Sequence, residues 1–167
     1  LEGFSIAQMT DIHLLPYTRP ELLQRSVEMA NALKPDLTVL TGDYVWRMRS
    51  AAFELAPLLA GLNARYGVYS VMGNHDYWSD AAETIRTLIR QAGITLLTDT
   101  SEDVRLAGGL LRLSGTDYPW AEGDLTVPET LPAVPHMVLS HSPDNIYRLA
   151  QRGVDVVFAG HYHAGQV

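Results

Sequence analysis

The sequence predicts an α/β fold on three observations. Short apolar runs of strand length alternate with stretches of helical periodicity. A glycine or polar break closes several of those runs, as at Gly42-Asp43 and Gly73-Asn74. The third is that 47% of the 167 residues are hydrophobic, enough for a buried core at one domain's length, so residues 1–167 are read as a single domain.

The elements follow in order. Residues 4–9 read as a strand, and residues 20–33 as a helix because Leu22, Leu23, Val27, Ala30 and Leu33 recur near helical spacing. Residues 37–40 give a second strand and residues 51–62 a second helix, in which Pro57 is expected to kink the helix or delay its start. Residues 68–72 form a third strand and residues 81–91 a third helix, closed by Gly93. The rhythm then changes. Residues 95–97, 104–107 and 110–114 are short strand-like runs, the last two joined as a hairpin by Gly108-Gly109. Residues 116–135, rich in Pro, Gly and acidic groups, read as a long surface loop. A strand at 137–139, a short helix within 143–152 and a strand at 154–159 complete a layout with either one mixed sheet or two sheets.

Composition removes several function classes. A formal net charge of −7 argues against nucleic acid or an anionic membrane as partner. The chain has no cysteine, so thiolate metal sites and disulfides are excluded. No apolar run approaches the roughly 20 residues of a membrane span. The chain opens on Leu1 and stops at Val167, so trimmed ends are expected, and a membrane anchor would have to lie in segments outside it.

The histidines and two aspartates carry the functional signal. Asp11 and His13 follow the first strand, Asp43 the second, Asn74 and His75 the third, His141 the penultimate and His161 and His163 the last. Five of the six histidines thus fall at strand carboxyl ends, the rim where α/β sheets bind ligands, and His136 alone opens a strand. Imidazole and carboxylate without thiolate suit Mn²⁺, Fe²⁺ or Zn²⁺. Seven ligand candidates, Asp11, His13, Asp43, Asn74, His141, His161 and His163, exceed one tetrahedral ion but suffice for two if a carboxylate bridges. Taken singly each has a blander reading: Asp-x-His as a turn, Ser142 or Asp144 beside His141 as a helix cap. Alternation along a strand would put His161 and His163 on one face. Asp76 is an acceptor suited to orienting the imidazole of His75.

In order and spacing, Asp11-Ile12-His13, Gly42-Asp43, Gly73-Asn74-His75-Asp76, His141 and Gly160-His161-Tyr162-His163 resemble the five motif blocks of the calcineurin-like metallophosphoesterases. The resemblance covers essentially the whole chain. It implies a double β-sandwich flanked by helices, with Asp11, His13, Asp43 and His163 on one metal, Asp43, Asn74, His141 and His161 on the other, and Asp43 bridging. The Gly165-Gln166 ending also resembles a bacterial subgroup of envelope-associated members, some of which cleave UDP-2,3-diacylglucosamine; it implies a bacterial cytoplasmic or envelope location and a phosphorylated small molecule or lipid headgroup as substrate. Tyr162 stands where that subgroup usually has threonine and Ala164 where glycine is common. Subgroup members also continue past this point, so a truncated carboxyl end with an unpaired sheet edge is expected.

The implied reaction is attack on phosphorus by a hydroxide bridging two divalent ions, manganese among the candidates, with His75, held by Asp76, as acid or transition-state stabiliser. Two other readings use the same residues: a non-catalytic scaffold binding partners through its metal rim, and a metal-storage module. Retention of His75 weighs against the first and the weak donor Asn74 against the second. Tyr17, Tyr44, Trp46, Tyr77 and Trp78 either line a pocket for an apolar substrate part or simply pack. The stretch with Asp117, Tyr118, Trp120, Glu122 and Asp124 is either a lid or a solvated loop. No basic patch is legible, and Arg19, Arg47 and Arg49 are the nearest cations to the first two ligand loops in the text.

Overall fold

Two four-stranded sheets packed face to face carry the chain in the computed structural model, which describes residues 2–128 and 130–163. The first sheet is parallel, with β1 (Ile6–Met9), β2 (Leu37–Leu40), β3 (Val68–Ser70) and β4 (Thr95–Leu96) in that spatial order. Its crossovers hold helices α1 (Pro20–Ala32), α2 (Ala51–Leu59), α3 (Asn74–Trp78) and α4 (Ala82–Gln91). In the second sheet β5 (Thr100–Leu106) and β6 (Gly109–Thr116) form an antiparallel hairpin, and β7 (His136–Ser140) and β8 (Val156–Phe158) extend it in parallel. A 3₁₀ turn (Pro143–Asn145) and α5 (Ile146–Ala150) connect the last two strands.

Strand β2 shows why the layers stack this way. All four of its residues are buried, as expected of a strand covered on both faces. Leu37 and Val39 point into the core between the sheets, with Tyr69, Val71, Leu111, Leu113, Met137 and Leu139. Leu40 points the other way, into the core under α1, α2 and α4 with Leu23, Val27, Leu55, Leu59, Ile85 and Ile89. A third, smaller core of Leu125, Val127, Val138 and Leu149 closes the outer face of the second sheet.

Several boundaries differ from the sequence reading for identifiable reasons. Ser5 leaves the first strand because its backbone N–H and hydroxyl both donate to the Asp36 carboxylate. Pro57 lies inside α2 without delaying its start. The hairpin turns at Ala107-Gly108, with Gly109 already paired to Leu106. Strand β5 starts earlier, at Thr100, because polar cross-strand pairs hold it: Arg112 grips Asp103 through two bonds, at 2.8 and 2.9 Å, and the Ser101 and Ser114 hydroxyls meet. Helix α3, to which the sequence reading gives no element, is five residues long and is capped by the Asp76 carboxylate accepting the Gly73 N–H at 2.8 Å. The stretch expected to be a surface loop buries Asp117, Leu125 and Val127.

Candidate metal centre

Strands β1, β2, β3, β7 and β8 all deliver their carboxyl ends to one rim, and the two sheets are pinned together there. The Gln8 amide on β1 donates to Thr41 Oγ1 at 3.1 Å and to the Ala159 carbonyl at 2.8 Å, which sets the loop after β8 beside the loop after β1. The backbone N–H of His161 then donates to both Asp11 carboxylate oxygens at 3.1 Å.

The seven ligand candidates come together in two groups. In the first, His163 Nε2 lies 3.1 Å from His13 Nε2 and 3.3 Å from Asp11 Oδ1, and His13 Nε2 lies 3.6 Å from Asp43 Oδ2. In the second, His141 Nε2 lies 3.3 Å from Asp43 Oδ2 and 2.9 Å from Asn74 Oδ1, with His161 in the same cluster. Asp43 belongs to both. Its Oδ1 accepts the backbone N–H of His75 at 2.8 Å, which holds the carboxylate in place while Oδ2 faces the histidines.

The donor set fits divalent cations. Ligand atoms about 2.0 to 2.1 Å from an ion stand roughly 2.9 to 3.4 Å from one another at octahedral or tetrahedral angles, the spacing of most of these contacts. Two imidazole nitrogens 3.1 Å apart otherwise face lone pair to lone pair unless one carries a proton. His141 has the outer support such a ligand needs: its Nδ1 donates to the Thr41 carbonyl at 2.7 Å, which aims Nε2 at Asp43 and Asn74. Among the described residues the ion pairs of Asp11 and Asp43 are all with histidines.

Backbone strain is concentrated on the same residues. Asp11, His13, Asp43, His161 and His163 have φ of 51°, 45°, 57°, 73° and 45°, in the left-handed region that side-chain-bearing residues seldom occupy. Two glycines make the approach of the loops possible. A Cβ on Gly73 would collide with Asp43 Oδ1, and one on Gly160 would collide with Thr10 Oγ1.

Electrostatics follow from burial and proximity. Burial alone would raise Asp43, but the hydrogen bond and charge of His141 outweigh it and hold the carboxyl below its ordinary range. The same pair raises His141 against the opposing effect of burial. His13 and His161 are lowered, first by burial and then with help from neighbouring imidazoles, which favours the neutral form that ligates.

Two expectations about this rim are corrected. Asp76 does not hold the His75 ring. Its buried carboxylate accepts backbone N–H groups of Gly73 (2.8 Å), Asp43 (2.9 Å), Tyr44 (2.8 Å) and Val45 (3.4 Å), tying the loop after β2 to α3. Burial and the nearby Asp43 charge push it up to about 7. His75 instead pairs through Nδ1 with the Trp46 carbonyl at 3.2 Å. His161 and His163 do not alternate on a strand, since β8 ends at Phe158, and they serve different groups. The ring of His75 also lies within reach of His13 and Asp43.

Other residues sort themselves by contact. Tyr44 is buried with its hydroxyl donating to the Val71 carbonyl, and Tyr77 donates to the buried Asp117, so these two pack. Tyr17, Trp46 and Trp78 stand at the rim, joined by Trp120 from the long loop. His136 is buried against Ser114 and is structural. Arg49 turns to Thr84 and Arg47 lies over Trp46. The sequence reading places Asp117 in a lid or solvated loop; it is buried and also accepts the Met72 N–H at 3.1 Å just before the Asn74 loop, a contact across 45 residues that no local pattern signals. Gly165-Gln166 and Ala164 lie outside the described residues. No helix among the described residues is long and apolar enough to cross a membrane.

Comparison with known proteins agrees with this architecture. The family model described as calcineurin-like phosphoesterase matches residues 4–165. The chain is 31% identical to an uncharacterized metallophosphoesterase YkuE of Bacillus subtilis, over 99% of this chain and 60% of the relative. It is 28% identical to phosphodiesterase YaeI of Escherichia coli, over 98% and 62%. With UDP-2,3-diacylglucosamine pyrophosphatase LpxG of Chlamydia trachomatis the identity is 25%, over 100% and 65%. The chain therefore spans a little under two thirds of the length of these relatives. In structure it resembles the NAD nucleotidase NadN of Haemophilus influenzae, with a TM-score of 0.64 at 15% identity, over 96% of this chain and 38% of the other. Motif order, a two-sheet fold with helices and the match over nearly its full length make this chain a member of the calcineurin-like phosphoesterase family.

Proposed function

We propose that residues 1–167 act as one domain that hydrolyses a phosphoester or diphosphate bond with the help of two divalent cations, Mn²⁺, Fe²⁺ or Zn²⁺. The observation that carries this reading is the shared Asp43 carboxylate, which stands 3.6 Å from His13 of one ligand group and 3.3 Å from His141 of the other. Asp11, His13, Asp43 and His163 would hold one ion, and Asp43, Asn74, His141 and His161 the other. When bound, the two cations supply charge neutralisation for phosphoryl oxygens and a nucleophile from water near neutral pH.

The protein's own part is positioning and proton transfer. His75 keeps Nδ1–H on the Trp46 carbonyl, so the proton it gives the leaving oxygen is carried on Nε2. Asp76 acts one step away, by fixing the backbone from which Asp43, Asn74 and His75 project. The names of two relatives, a phosphodiesterase and a UDP-2,3-diacylglucosamine pyrophosphatase, favour a diester or diphosphate of a small molecule or lipid headgroup, and the resemblance of the sequence to an envelope-associated subgroup favours a bacterial envelope setting.

The test is hydrolysis of a chromogenic phosphodiester and monoester by chain stripped with chelator and reloaded with Mn²⁺. Activity that disappears on chelation and returns with metal is expected. Two ions bound with no hydrolysis of any ester would instead favour a metal-bearing scaffold. His75→Ala should lower turnover by about 10² to 10⁴-fold with metal content retained; loss of metal from that variant would make His75 a ligand.

A further inference from the structure

Aromatic side chains surround the metal-ligand groups in an unbroken series. Tyr17 stands edge-on to Trp46 at 5.1 Å, and Trp46 stacks on the His75 ring at 4.1 Å with 24° between planes. Trp78 meets His75 edge-on at 5.2 Å and Trp120 at 5.8 Å. Trp120 lies 5.2 Å from His161, whose other neighbour is Tyr162 at 5.1 Å. All three tryptophans of the chain are in this arc, Trp46 from the loop after β2, Trp78 from the end of α3 and Trp120 from the long loop after β6. Core packing does not explain the placement, because Tyr17 is 67% exposed, Trp78 60% and Tyr162 49%.

The chemistry of the arc selects its ligand. Among the described residues one guanidinium, Arg47 at 5.7 Å over Trp46, lies against a ring of the arc, so it offers faces rather than charges. Tyr17 with Trp46 and Trp78 with Trp120 meet edge to face, and an open set of such rings gives a flat ring face contact but leaves a flexible alkyl chain unenclosed. Trp46 and Trp78 both touch His75, which puts the platform on the side of the leaving group.

From this we infer that the arc is a subsite for a planar aromatic ring, of the nucleobase class, carried on the leaving-group side of the phosphorus, with Trp78 as its main stacking face. The inference rests on the reading of His75 given above for its orientation, but binding tests it without turnover. Manganese-loaded chain is titrated calorimetrically with the phosphonate analogues of adenosine 5′-monophosphate, ribose 5-phosphate and octyl phosphate, whose P–C bond in place of the ester P–O bond resists hydrolysis. The base should tighten binding about 5- to 150-fold over the sugar phosphate, the range for one base stacked on an aromatic side chain. Trp78→Ala should collapse that contrast and Trp78→Phe should keep most of it; Trp78 is exposed enough for both to fold.

Equal affinity for the first two ligands, a contrast that survives Trp78→Ala, or tightest binding of octyl phosphate would each overturn the inference. The two readings fail separately. Ester hydrolysis without any base contrast removes the ring subsite and leaves the hydrolase, whereas the contrast without hydrolysis of any ester does the reverse.

Discussion

At the scale of single residues, the rim depends on which atom each carboxylate serves, and Asp76 is the instructive case. The text Gly-Asn-His-Asp announces a base and an acceptor side by side, yet the acceptor is used up by backbone N–H groups, three of them from residues more than 30 positions away. Nothing in a tetrapeptide reports such distant donors. Asp76→Asn turns one acceptor oxygen into a donor facing those N–H groups and should cost about 1 to 3 kcal/mol in urea unfolding. His75→Ala, half-buried at the rim, should cost much less in the same measurement. Asp117→Ala strands the Met72 N–H and the Tyr77 hydroxyl and should cost a similar 1 to 3 kcal/mol, together with a fall in kcat as the Asn74 loop loses its support. The ligand candidates themselves were legible because residue type and strand-end position coincide at every block. Their left-handed backbone was not, since it follows from loops that meet only in the folded chain.

At the scale of elements, apolar runs located every strand, and errors gathered where polar atoms make the structure. The early start of β5 rests on Arg112–Asp103 and Ser101–Ser114, pairs invisible until the register is known. Helix α3 is too short for periodicity, and part of the long loop is buried because it roofs the second sheet. The β6–β7 pair also yields a pH effect. His136 is buried and lowered below 6.5, first by burial and then by Arg112. The unfolded chain therefore takes up a proton near 6.5 that the folded chain resists, so stability is lost as pH falls through that value. Replacing the imidazole by His136→Gln should flatten the urea-unfolding stability between pH 7.5 and 5.5 relative to wild type; an unchanged slope would assign the loss to other groups.

For the whole molecule, the double sandwich brings the carboxyl ends of both sheets to one rim, and the Gln8–Ala159 contact locks that register. The flanking helices and the convergence of the ligand candidates on one rim were legible in the text, and the choice of two sheets over one mixed sheet came from the family resemblance; the third core was not legible, because it depends on a loop finding a sheet face. Since cations would bind the folded chain alone, chelation should lower its melting temperature and Mn²⁺ should restore it. The most direct measurement is metal stoichiometry, by mass spectrometry, of chain reconstituted with Mn²⁺. Two ions per wild-type chain, with both weakened or lost in Asp43→Ala and only one in Asp11→Ala, is the expected result. A single ion in the wild type, or two ions retained by Asp43→Ala, would contradict a centre built around one shared carboxylate.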